Sequence, residues 1–147
     1  MNALIHAHSG LRWIALILII FAIINAFSRK GVSLYEKKDK MINLFAMISL
    51  HIQLLIGFIL YFYSSKVNFK VDFTDKLNKM YRFFSIEHSI MMIAAIVIIT
   101  IGRKKAEKAE APFTKHQYIA KWYLIGLIVL LAGIPWPFRA KLLAAWF

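Results

Sequence analysis

Four stretches of this chain each run for about the thickness of a bilayer with almost no charge, and that spacing limits the fold more than any motif does. Met1 to Ser28 is interrupted only by Arg12, Met41 to Ser65 by nothing, Phe83 to Gly102 only by Glu87, and Trp122 to Phe138 by nothing. A hydrocarbon core of roughly 30 Å asks for about 20 apolar residues per helix. A helix also satisfies its own backbone hydrogen bonds where water is absent. With 61% of 147 residues hydrophobic and 18% charged, a water-soluble domain is excluded. The expected fold is all-α: an integral membrane, up-down-up-down four-helix bundle forming one domain. Its helices are expected at about 3–28, 40–64, 75–102 and 114–134, with an interfacial tail at about 138–147.

Local signals set these boundaries. Gly31 follows Arg29 and Lys30, cations that suit a helix C-terminus. Asp39 is a candidate N-cap for helix 2, and Asp72 or Thr74 for helix 3. Thr114 and Gln117 have the spacing of a capping box opening helix 4, and Pro135-Trp136-Pro137 ends it. Tyr61, Tyr63, Tyr81, Trp136 and Trp146 are expected to form one aromatic belt, and Tyr118, Trp122 and Tyr123 the other. The first segment lacks the basic head and small-residue cleavage site of a secretory signal and is expected to remain as a helix.

The net charge of +12 is scattered over every loop rather than gathered on one face, which points to anionic lipid headgroups and away from nucleic acid. Loops 1 and 3 carry ten Lys and Arg residues, against seven in loop 2 and the tail, so both termini are expected outside. Cysteine is absent, which removes disulfides and thiolate metal sites.

Three of the five histidines, His8, His51 and His88, fall inside apolar runs. An ionisable group at such depth is expensive and marks a functional site by default. Counted from inner ends near Ser28, Lys40 and Gly102, His51 lies about 16 Å deep, His88 about 21 Å and His8 about 30 Å. Facing imidazoles in an apolar helical bundle suit a haem iron. His51 is nearly level with His88, on faces that carry Met47, Ile48, Leu54, Leu55 and Phe58 on helix 2 and Phe84, Ser85, Met91, Met92 and Ala95 on helix 3. His8 is diagonal to His88, where a porphyrin has more room, but about 9 Å off in nominal depth. His88 is common to both pairings, and its partner stays open between His51 and His8.

Arg12 lies one turn after His8, beside Trp13, and needs an anion at that depth. Glu87 supplies one as an ion pair, and a haem propionate supplies another, held bidentately. The simpler readings run alongside these. Histidines and an Arg12–Glu87 pair also serve as helix glue, Met91 and Met92 as core filler, His116 as an interfacial residue near a cap, and His6 as a solvent-facing one.

His8-Ser9-Gly10-Leu11-Arg12-Trp13, Glu87-His88 with Met91, and Ile134-Pro135-Trp136-Pro137-Phe138-Arg139 make the chain resemble, over nearly its whole length, small bacterial four-helix membrane proteins labelled cytochrome b. The resemblance implies haem b and electron transfer. In outline the chain is also similar to the small membrane-bound protoporphyrinogen oxidases of bacteria, although no lysine lies between Phe83 and Gly102.

The leading expectation is therefore a b-type cytochrome of the bacterial inner membrane. Its cofactor site would be built from His88, His51, His8, Arg12, Trp13 and Glu87, with metal ligands His88 and His51 or, in its place, His8. Expected contacts are the lipid bilayer, haem, a quinone, and a membrane protein partner or a second copy of the chain. A porphyrin- or quinone-oxidising enzyme and a non-catalytic assembly subunit are the alternatives.

Overall fold

The computed structural model describes residues 2–31 and 34–139, so that most of the tail expected at 138–147, with Trp146, lies outside the described residues. Four long helices make up the described chain: α1 (Asn2–Ser28), α2 (Lys37–Tyr63), α3 (Lys79–Lys108) and α4 (Pro112–Gly133). All four are long and apolar enough to cross a membrane. The molecule is an all-α bundle with the character of a multi-pass membrane protein. Ile17 and Leu55, 64% and 66% exposed, typify an outer surface of bare hydrocarbon that a bilayer, not water, would solvate.

Consecutive helices are antiparallel neighbours. α1 packs on α2 and α4, α3 packs most extensively on α4, and the α2–α3 seam is the thinnest. α1 and α3 thus face each other across a diagonal, as do α2 and α4. The end with the α1–α2 and α3–α4 loops is called basal here, and the opposite end apical.

Inside a uniformly apolar run, the inward face is marked by small residues. Ala15, Ile19, Ala22 and Ala26 line α1, and Ala95, Ile99, Gly102 and Ala106 line α3. Asp39, Asn43, Ala46 and Leu50 line α2, and Ile119, Tyr123, Gly126, Leu130 and Gly133 line α4. Each stripe alternates steps of four and three residues, the seam of a left-handed bundle. Lipid is as apolar as the core, so close backbone approach takes over as the attraction between helices. On the α3–α4 seam Trp122 lies against Gly102, Ile99 against Gly126, and Met91 and Met92 against Gly133.

Several boundaries differ from the sequence expectation. α2 begins at Lys37, and Asp39 is not its N-cap: its carboxylate reaches back to accept the Glu36 N–H at 2.9 Å, as the third residue of a capping box. Asp72 instead holds a turn, accepting from the Thr74 N–H (2.8 Å) and hydroxyl (2.7 Å), and α3 starts only after the short 3₁₀ turn Lys76–Asn78. α4 opens on Pro112 at its first position with Ala111 as cap, so Thr114 already lies inside the helix. α4 ends at Gly133, just before Pro135. α3 runs on to Lys108, six residues beyond Gly102. Its turn Phe83–Glu87 is a π-helix, leading directly into His88.

Candidate cofactor site

The longer α3 settles the relative depths. His8 and His88 each lie twenty residues from the basal ends of their helices at Ser28 and Lys108, about 30 Å for both. His51 lies fourteen residues from Lys37, about 21 Å. The diagonal pair is level, and His51 sits about 9 Å nearer the basal end.

Each ring has a distinct anchor. The His88 Nδ1 lies 2.8 Å from the carbonyl oxygen of Gly133, the last residue of α4. A carbonyl only accepts, so Nδ1 carries the proton and Nε2 keeps its lone pair. His51 is tied in the same sense to its own helix, donating from Nδ1 to Met47 O at 2.9 Å. The His8 ring rests on α2: a Cβ at Gly57 would lie 3.3 Å from its Cε1, and Gln53 Nε2 donates to the His8 carbonyl at 3.0 Å. The His8 Nδ1 is buried with no hydrogen-bond partner.

The His88 anchor is part of a larger cap. Helix C-termini leave carbonyls without partners, and here three consecutive ones each receive a side-chain donor. Leu131 O takes the Trp136 indole (2.8 Å), Ala132 O the Arg139 guanidinium (3.1 Å), and Gly133 O the His88 ring. Trp136 also meets Trp13 edge-on, 6.0 Å between centroids, and Arg139 lies over Phe83. The segment Pro135 to Arg139 therefore folds back over the apical end of α4 and supports the floor on which His88 is held.

The other site candidates are placed as follows. Arg12 lies over the ring of Trp13 at 5.2 Å. Glu87 is paired within its own helix, to Arg82 at 2.8 Å, rather than across the bundle with Arg12. The widened π turn brings residues five apart onto one face, which is why that pair forms. His51 faces a separate groove between α2 and α3. Leu55 and Phe58, expected on a cofactor-facing surface, point outward instead, and Ser85 is buried, accepting the Asn68 N–H at 3.0 Å. Among the described residues no group of three or more His, Asp or Glu side chains converges as a metal site.

A second polar cluster, at the basal end, was not anticipated. Asp39, fully buried, accepts from Asn25 Nδ2 (2.9 Å) and is ion-paired with Arg29, whose Nε lies 3.0 Å away. Asn43 donates to the Tyr35 hydroxyl (2.9 Å) and accepts the Tyr123 hydroxyl on its backbone oxygen (2.8 Å). His116 is fully buried, donating from Nε2 to Leu34 O at 3.2 Å with Tyr35 edge-on to its ring. His116 is thus not an interfacial residue, and Tyr123 is core, not belt. This network ties loop 1 to α2 and α4.

Fold and site define a polytopic helical membrane protein with a half-buried histidine pair across its diagonal. No protein-family model matches the chain, and no curated protein or solved structure matches it.

Proposed function

We propose that this chain is a b-type cytochrome of a bacterial inner membrane, in which His8 of α1 and His88 of α3 would hold haem b. The observation that carries the reading is the level, diagonal placement of two imidazoles from helices that are not neighbours. Two further features fit an iron-porphyrin. His88 has its Nδ1–H committed to a backbone carbonyl, the anchoring that metal-bound histidines use to fix the tautomer and leave the other nitrogen for the metal. His8 presents a buried ring nitrogen with no protein partner.

In this reading the haem, when bound, supplies a reversible one-electron couple. Held by two histidines, such a group would suit electron transfer rather than oxygen chemistry. Arg12, one turn from His8, would orient the group by holding a propionate. Trp13 and Trp136 shield the apical side from water. The electron donor is a membrane quinol and the acceptor a membrane partner, a second copy of the chain being one form of it. The excess of Lys and Arg in loops 1 and 3 supports both termini outside.

The test is a reduced-minus-oxidised spectrum of the purified protein from haem-replete cells. A Soret and α-band change, lost in His8→Ala and in His88→Ala but kept in His51→Ala, is the expected result. A colourless protein sinks the proposal. It would leave a scaffold, the reading favoured by the His88–Gly133 bond taken alone, since that bond ties two helices whether or not iron is present.

A further inference from the structure

The thin α2–α3 seam opens into a groove of about 340 Å³, lined by His51, Leu54, Ile96, Val97 and Thr100, with Lys104 at its basal mouth. The volume falls in the range of small-molecule sites, and above Lys104 the walls are hydrocarbon apart from the side chains of His51 and Thr100. His51 gives its Nδ1 proton to Met47 O, so its remaining ring nitrogen is an acceptor. Thr100 gives its hydroxyl proton to Ile96 O at 2.7 Å, so its oxygen too is left only to accept. Within the apolar stretch the groove therefore offers acceptors and no donor. In water such groups would be hydrated; facing acyl chains, an unmet acceptor costs free energy.

An occupant that satisfies the groove brings hydroxyl groups to mid-membrane depth. Phospholipids carry donors only in their headgroups, at the interface, and acyl chains carry none. His51 lies about 21 Å from the basal end of α2, far below that zone. A lipophilic ring with phenolic hydroxyls meets both requirements, and its oxidised form, with carbonyls only, does not. We infer that this groove binds a membrane quinol in preference to the quinone, with a quinol hydroxyl donating to the Nε2 of His51. The inference deepens the electron-transfer reading by giving the donor a place, about 9 Å basal to the His8–His88 level.

The probe is a radiolabelled decylbenzoquinol, compared with its dimethyl ether and with the matching quinone. Equilibrium binding to the full-length protein in nanodiscs is measured against empty nanodiscs under anaerobic, reducing or oxidising conditions as each form requires. The quinol is expected to bind about tenfold more tightly than the ether or the quinone, the worth of one good hydrogen bond in an apolar site. His51→Ala should erase that preference while leaving ether binding unchanged. Leu54→Trp, which fills the groove without touching an acceptor, should weaken all three. Equal binding of quinol and ether, or a preference that survives His51→Ala, overturns the inference, as does loss of haem absorbance in His51→Ala.

The absorption spectrum of the same preparations separates the two readings. A quinol preference in a colourless protein leaves the groove standing and ends the cytochrome proposal. A pigmented protein with no quinol preference does the reverse.

Discussion

His88, in the apical third of α3, donates from Nδ1 to the backbone oxygen of Gly133 at 2.8 Å, closing the last turn of α4 with a side chain from another helix. The bond is structural before it is anything else. In haem-free protein, His88→Ala leaves that carbonyl without its donor, while Trp136 and Arg139 continue to cap Leu131 and Ala132. Hydrogen bonds between membrane helices average well under 2 kcal/mol. A loss of about 1 kcal/mol is expected in SDS-titration unfolding of the haem-free protein. A loss several times larger would mean that the ring also supports packing of the α3–α4 seam.

The glycines separate seam from surface. Around Gly10 there is nothing within 4 Å of an added Cβ, whereas at Gly102 the methyl would run into the Cβ and ring of Trp122. Gly102→Ala should therefore cost about 1–3 kcal/mol through overpacking. Gly10→Ala should be neutral, or stabilise by about 0.5 kcal/mol through the helix preference of alanine. Chemical unfolding in mixed micelles measures both, and equal effects at the two positions would contradict the seam described.

At the basal end Asp39, with no exposed side-chain surface, is held by Arg29 and Asn25. Asp39→Asn removes the charge and keeps the shape, leaving Arg29 with only the half-exposed Glu36 as an anion, 2.7 Å away. Breaking one partner of a buried pair costs about 3–5 kcal/mol, and Glu36 should reduce this to about 2–3 kcal/mol. The fall in melting temperature, followed by circular dichroism, should exceed that of Glu36→Gln.

The four spans were legible because charge is scarce and its gaps are long. The histidines stood out for the same reason, and the diagonal His8–His88 pairing was one of two open alternatives. What hid the correct level was α3. Arg103, Lys104 and Lys105 read as loop, yet the helix continues through them to Lys108, and Arg103 turns inward to pair with Glu107 at 2.7 Å. Those six residues, about 9 Å of helix, account for the whole apparent mismatch. The basal network was missed because Asp39 and His116 stand near helix ends, where charge reads as surface. Their burial depends on loop 1 folding over them, a tertiary fact with no local signature. The π turn before His88 has none either, and with it went the Arg82–Glu87 pair.

Tyr35, in the loop between α1 and α2, gives that network a pH limit. Its phenol is raised above the ordinary tyrosine range chiefly by burial, with Asp39 and Glu107 pushing the same way and the Asn43 hydrogen bond and Arg103 opposing them. A group whose folded pKa lies above its unfolded one contributes fully below the unfolded value, about 10 for tyrosine, and loses its contribution as pH rises from there through the folded value. The protein should therefore weaken above about pH 10, with Tyr35→Phe weakening less steeply over that window. Phenolate absorbance near 295 nm checks the cause: the fraction titrating above the ordinary tyrosine range should shrink in Tyr35→Phe, and an unchanged alkaline titration curve would remove Tyr35 from the account.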